Sequence, residues 1–218
     1  MKIIRVLITS ALILSLIFCV FSCGRTYGKL IETKSDGDFS FDLYGKDGTV
    51  LKIKVKKSGN KVCELSCNGK DFKSIDLNFD GYNDIMLSSA EKGPGYYQCF
   101  IYQPNTEKFT RNLKFDNMLD PILDPETKTI SCDIKTRTLI LKYPEEAYKE
   151  VRGSAVWSWK NGILTQVSEE GIEYFTDSKI YCVYTSSEID GEFTRNDAGD
   201  LWFWSYDELV SAGYTWEN

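Results

Sequence analysis

VLKIKVKKSGNKVCELSC, residues 50–67, sets apolar residues against lysines at every second position and then reverses through Ser58-Gly59-Asn60. Alternation of that period marks a half-buried strand, and a short polar turn between two such runs marks a hairpin. The same signal recurs along the chain. FKSIDLNF (72–79), DIMLSS (84–89), YYQCFIY (96–102), TISCDI (129–134) and TLILKY (138–143) all read as strands. SAVWSWK (154–160) and ILTQV (163–167) are joined by Asn161-Gly162, a strong two-residue hairpin signal. EYF (173–175), IYCVYTS (180–186) and LWFWS (201–205) continue the series. Helical signals are few. YPEEAYKEV (143–151) has the composition for one or two turns, and SYDELVSAG (205–213) carries a capping box, Ser205 with Glu208, closed by Gly213. The expected fold class is all-β: an antiparallel sandwich or propeller-like domain of many short strands, with at most one or two short helices. No tandem repeat supports a full multi-blade propeller.

Residues 1–22 differ from the rest. A short basic start, MKIIR, leads into the uncharged run VLITSALILSLIFCVF, and Ser22 precedes Cys23 and Gly24. This is the layout of a secretory signal; Cys23 in that setting is the lipidation site expected of a bacterial lipoprotein. An uncleaved membrane anchor is the other reading, since the run nearly matches a bilayer core. Both place the protein outside the cytoplasm on a membrane, periplasmic or at the cell surface. Residues 23–37 read as a tether, 38–168 as the main β domain, and 169–218 as a C-terminal β and aromatic extension packed on it. Loss of Lys2 and Arg5 with residues 1–22 leaves 24 basic against 32 acidic residues, a net of −8. Such a surface disfavours nucleic acid and favours a basic protein as partner. The chain has no histidine, which removes Ser-His-Asp, Cys-His and His-zinc chemistry. Cys63, Cys67, Cys99, Cys132 and Cys182 are an odd set, read as small buried hydrophobes or as containing one long-range disulfide.

SIDLNFDGYNDIML, residues 74–87, concentrates acids between apolar residues. On an extended strand Asp76, Asn78 and Asp80 share one face while Leu77 and Phe79 point into the core. Gly81 allows a reversal, Asp84 returns on the next strand, and the Tyr82 carbonyl is free to turn inward. Carboxylates about 4 Å apart repel by roughly 4 kcal/mol at an effective dielectric near 20. A divalent cation cancels that repulsion, and an all-oxygen set selects Ca2+. Asp76, Asn78, Asp80, Tyr82 and Asp84 are the candidate ligands. Leu87 stands where an EF-hand carries its bidentate glutamate, and strands flank the loop, so this is not an EF-hand. A plain Asx-Gly surface turn is the alternative.

The stretch resembles the calcium loops of FG-GAP/VCBS-type β-propeller blades. The wider run, from IDLNFDGYNDIML through EKGPG, YYQCFIYQPNTEKF and LDPILDPETKTISC to SAVWSWKNGILTQV, is similar to small exported bacterial proteins related to a type IV secretion immunity lipoprotein. The resemblance implies a propeller-like fold with bound calcium and inhibition of a lysozyme-like peptidoglycan hydrolase through a Ser/Gly/Tyr loop. Its counterpart here is SSAEKGPGYY (88–97), with Ser89, Gly93, Gly95, Tyr96 and Tyr97 as candidate partner-binding residues. The expected function is therefore that of a protein-binding module and not an enzyme. A structural or adhesive surface lipoprotein is the alternative, and a glycan-active enzyme built on paired carboxylates is a third reading. Trp202, Phe203, Trp204, Tyr206, Tyr214 and Trp216 crowd the C-terminus, as core packing or as an exposed patch.

Overall fold

The computed structural model describes residues 28–141 and 146–216. Residues 1–22, Cys23 and the first residues of the expected tether lie outside them. Fourteen strands are present among the described residues. The first seven are β1 (Lys29–Asp36), β2 (Phe39–Lys46), β3 (Thr49–Lys57), β4 (Asn60–Ile75), β5 (Asp84–Ser89), β6 (Tyr97–Gln103) and β7 (Lys108–Asn112). The second seven are β8 (Leu119–Asp124), β9 (Thr129–Leu141), β10 (Glu146–Lys160), β11 (Ile163–Phe175), β12 (Ile180–Ile189), β13 (Glu192–Arg195) and β14 (Leu201–Phe203). One α-helix is present among the described residues, α1 (Tyr206–Ser211). β1 to β7 form one antiparallel sheet in chain order, and β8 to β12 do the same in a second. Both β13 and β14 pair with β12, at Ser186–Ile189 and at Tyr181–Val183, so they share its outer edge. The fold is all-β and sandwich-like, with neither sheet closed into a barrel.

The two-residue side-chain period divides the apolar residues between two cores. Phe41, Leu43, Ile53, Val55, Leu65, Ile85, Leu87, Phe100, Tyr102 and Phe109 make the first, entirely from one sheet. That sheet therefore curls on itself: the Phe39 ring lies 5.2 Å from Tyr102 and 5.7 Å from Phe109, joining its second strand to its last two. The alternate residues Met86, Cys99 and Ile101 face the other way, and with Leu77 they meet Phe115, Met118, Ile130, Cys132, Ala155 and Leu164 of the second half. β5 and β6 are thus covered on both faces, which explains the unbroken apolar run in DIML.

In the second sheet Gly153 of β10 stands opposite Gly171 of β11. A Cβ on Gly153 would sit 2.0 Å from the Glu170 carbonyl, and one on Gly171 would sit 2.6 Å from the Arg152 carbonyl. The pair lets the long hairpin crease, and the Tyr184 ring lies beside Gly171 in the space left open. Asn161 and Gly162 both take positive φ, 51° and 77°, the pattern of a type I′ hairpin turn.

Four sequence expectations need correction. Residues 29–36, read as tether, form edge strand β1; its exposed KLIETKSD owes its strand character to backbone pairing with β2, so it shows no apolar period. Of YPEEAYKEV, residues 143–145 lie outside the described residues, and Glu146 to Val151 enter β10 instead of a helix, because their backbone pairs with β9 and, from Lys149, with β11 as well. Residues 169–218 are not an added extension: β11 runs through position 168, and β12 to β14 complete the second sheet. The run 72–79 leaves the strand at Ile75, for reasons given below. The short helix forms as read, with Ser205 Oγ accepting the Glu208 N–H at 3.2 Å. All five described cysteines are free; Cys99, Cys132 and Cys182 are buried. Burial pushes the Cys67 thiol up to about 12, as expected of packing residues and not of reactive thiolates.

Candidate functional site

The aspartate loop spans residues 76–83, between β4 and β5. Its side chains explain why the strand stops. Asp76 accepts the N–H of Asp80 at 3.2 Å and of Gly81 at 2.9 Å. Asn78 Oδ1 also accepts from Asp80, at 3.2 Å, and Asp80 Oδ1 takes the Tyr82 N–H at 2.9 Å. These side-chain-to-backbone bonds compete with strand pairing and wind the segment into a tight loop. Phe79 is forced to φ 58° and Gly81 to φ 88°. The Asn78 amide donates to Asp80 Oδ2 at 2.8 Å, so positions 76, 78 and 80 converge on shared amides and on each other.

Asp84 is fully buried. One of its oxygens accepts the Leu77 N–H at 2.8 Å and the other the Tyr102 N–H at 2.7 Å. It thereby ties the loop's start to β5 and β6. Burial pushes its carboxyl up to about 7; the two amides pull the other way, and the charges of Asp80 and Asp76 add to the rise. Leu77 fills the inter-sheet core, and its carbonyl accepts the Trp159 indole N–H at 2.9 Å. Asn83 donates to Asp36 at 2.7 Å, latching the loop to the end of β1. Tyr82 is half exposed, its ring 5.6 Å from Tyr102.

The donor chemistry fits a hard cation. Asp76, Asp80 and Asp84 present carboxylate oxygens and Asn78 an amide oxygen beside its donating nitrogen, and each carboxylate oxygen that accepts one N–H keeps a second lone pair. Among the described residues, no three Asp, Glu, Cys or His side chains are drawn together closely enough to form a metal cluster by themselves.

The glycine-rich loop follows at the far end of β5. Ser89 N–H donates to the Tyr96 carbonyl at 2.7 Å, closing it. Lys92 bridges to the Asp116 carbonyl at 2.6 Å and to Asn117 at 2.8 Å. Ala90 N–H reaches the Asn68 carbonyl at 3.1 Å, Asn68 holds Glu91 at 2.7 Å, and the Gly95 carbonyl accepts from Asp120 at 2.8 Å. Gly95 has φ 83°, and a Cβ there would lie 2.6 Å from Leu119. The candidate residues separate in role. Ser89, Gly93 and Gly95 shape the loop, Tyr96 walls a cavity of about 250 Å3 beside Lys114 and Trp157, and Tyr97 packs into the inter-sheet core. The exposed crest consists of Ala90, Glu91, Lys92 and Pro94. The Lys92 and Asn68 latches had no local signal in the sequence, since each joins residues more than twenty apart.

Sequence reasoning also missed a groove of about 800 Å3 on the second sheet. Asp133, Ser154, Glu170 and Thr185 form one row across β9 to β12, and Lys135 and Arg152 begin the next. Tyr214 and Thr215 wall it. The aromatic tail divides: Trp216 is buried, with the Arg152 guanidinium 4.7 Å from its ring, whereas Trp202, Trp204 and Tyr206 are exposed.

These features define an all-β, sandwich-like protein with an oxygen-rich loop at one end of a doubly covered strand. A solved structure of a Xanthomonas type IV secretion system related protein is similar to it. The TM-score is 0.53 and the identity 12%, over 78% of this chain and 96% of that one. At that identity the likeness extends to the fold. No family model and no curated protein sequence matches the chain.

Proposed function

We propose that this chain is an exported, membrane-anchored β module that holds a calcium ion in its aspartate loop and binds another protein. The partner class is a cationic peptidoglycan hydrolase, with the chain acting as its inhibitor or immunity protein. The observation that carries this reading is the pinned loop at residues 88–97, whose crest is held by Lys92, Asn68 and Asp120 before any partner arrives. A loop already ordered loses little conformational entropy on binding. Asp76, Asn78, Asp80 and Asp84 would hold the ion, with the Tyr82 carbonyl completing the set; its contribution is to bind the loop to β5 and β6, not to catalyse. The apolar run before Cys23 supports export and lipidation, and likeness to a secretion-related protein agrees with an envelope location. The net charge of −8 would steer a basic enzyme towards it.

The test uses the mature chain without its signal segment. Lysozyme-like hydrolases of known isoelectric point are assayed on cell-wall substrate with and without it. Inhibition of at least one cationic member supports the proposal, and binding to none across the panel refutes it. The metal is tested separately: calcium should raise the unfolding temperature of the wild type and leave Asp76→Ala unmoved. The adhesive reading draws on one specific observation: Tyr97 is half-buried against the inter-sheet core, which leaves the crest residues Ala90, Glu91, Lys92 and Pro94 with no aromatic anchor.

A further inference from the structure

The edge of the second sheet carries an unusual surface. Trp204 is 71% exposed and Trp202 is 52% exposed, although large aromatics are among the residues that gain most from burial. They are two positions apart at the end of β14, and Trp202 stacks on Phe175 with ring centroids 5.9 Å apart. Ile189, Phe193, Leu201 and Tyr206 are exposed along the same edge. β13 and β14 lie end to end there, and neither pairs with a further described strand on its outer side.

The charge of this edge is one-sided. Residues 188–208 contain seven acids, Glu188, Asp190, Glu192, Asp197, Asp200, Asp207 and Glu208, against the single base Arg195. Arg195 is already committed, bonded to Glu173 at 3.0 Å and to Asp200 at 2.8 Å, with its guanidinium 4.7 Å from the Tyr184 ring. Glu188 is already paired with Lys160 and Asp200 with Arg195, and Asp190 and Glu192 lie at the far end of β13; Asp207 and Glu208 stand beside Trp204, whose backbone N–H Glu208 accepts at 2.9 Å. Exposed tryptophans beside such carboxylates match one kind of surface: basic, with arginine or lysine able to lie over an indole face. A second copy of this chain would set Asp190, Glu192, Asp207 and Glu208, which form no ion pair among the described residues, against their own kind, and an anionic lipid surface would be repelled in the same way.

We infer that the acidic aromatic edge formed by β13, β14 and the start of α1 is a docking surface for a basic protein, with Trp204 and Trp202 as its anchors. The inference rests on the proposed function, that the chain binds a cationic protein, and adds this edge as a second contact that supplies the aromatic anchors the loop crest lacks.

The experiment measures binding of the mature chain to each hydrolase of the panel by calorimetry, at low and at physiological ionic strength. Wild type, Trp204→Ala, Trp202→Ala, Asp207→Asn and the loop variant Lys92→Ala are compared. Loss of about tenfold or more in affinity for Trp204→Ala, a smaller loss for Asp207→Asn and weakening by salt are expected, with Lys92→Ala changing affinity less than Trp204→Ala. Trp204 is too exposed for its removal to unfold the chain, so an unchanged unfolding temperature for that variant keeps the test valid if Trp202→Ala fails to fold. If wild type binds no member, the proposed function and this inference fall together. If wild type binds and both tryptophan variants stay within about twofold, the edge is not the docking surface and the proposed function stands. Self-association of the wild type that disappears in Trp204→Ala would assign the edge to a second copy and overturn the inference.

Discussion

Asp84 gives the aspartate loop a pH signature whose sign would reverse on binding of the proposed calcium. In the metal-free protein its carboxyl is pushed from 3.8 to about 7 by burial and by the neighbouring charges of Asp80 and Asp76. The folded state therefore holds this proton more tightly than the unfolded chain does. Its stabilising contribution is complete below the unfolded value and is lost as pH rises through the folded one. The full shift corresponds to about 4 kcal/mol, and the part lost between about pH 5.5 and about pH 8.5 is about 2 kcal/mol. The proposed calcium would require the ionised form, so protons would compete with it, and the same pH rise would strengthen a calcium-loaded protein. Urea unfolding followed by tryptophan fluorescence, in chelator and in excess calcium across that range, reads both slopes. Asp84→Asn isolates the group: the difference between wild type and variant should fall with pH in chelator and rise with pH in calcium. If that difference has the same slope in both, or has none in chelator, the account of Asp84 as a buried, cation-seeking carboxylate is wrong.

Leu77→Ala empties a fully buried site in the inter-sheet core and should cost about 2–5 kcal/mol in chemical denaturation. It should also weaken binding of the proposed calcium in isothermal titration, because the cavity lets the Leu77 backbone, whose N–H holds Asp84 and whose C=O holds Trp159, shift from its place. Arg195→Ala leaves buried Glu173 and the shielded Asp200 carboxylate without their guanidinium, and should destabilise by about 3 kcal/mol or more at neutral pH. Gly153→Ala pushes a methyl against the Glu170 carbonyl, so the β10–β11 crease must open; a loss of several degrees in unfolding temperature is expected, with circular dichroism retaining the β signature.

Features with local causes were legible in the sequence. The Asn161-Gly162 hairpin and the Ser205-capped helix need only neighbouring residues, and both formed as read. Edge strand β1 was illegible because a strand exposed on both faces has no apolar period to display. YKEV (148–151) favours a helix locally, yet its backbone is claimed from both sides by β9 and β11, and tertiary pairing overrode propensity. In the aspartate loop the spacing pointed to oxygens converging from Asp76, Asn78, Asp80, Tyr82 and Asp84, whereas hydrogen bonds join positions 76, 78 and 80 around shared amides and both Asp84 oxygens are taken by the amides of Leu77 and Tyr102. The spacing could not show that the segment abandons the strand at once, nor that Asp84 turns inward to the amides of Leu77 and Tyr102. The second of those partners lies eighteen residues away.

The position of β5 determines how the two loops can influence one another. Asp84 opens that strand and Ser89 closes it, so the aspartate loop and the glycine-rich loop stand at opposite ends of a segment roughly 17 Å long at about 3.4 Å per residue. An ion held by Asp84 cannot touch a protein seated on the crest at Lys92. Its influence must pass through the strand, and that strand is buried on both faces between two cores, which makes it stiff well below the unfolding transition. Chelation should therefore leave partner affinity nearly unchanged at low temperature and reduce it only as the unfolding midpoint is approached, when the hairpin holding both loops begins to open. Binding measured with and without chelator along a temperature series separates this from direct participation of the ion. A large chelator effect at low temperature would place the metal in the interface itself, and the separation of roles along β5 would be refuted.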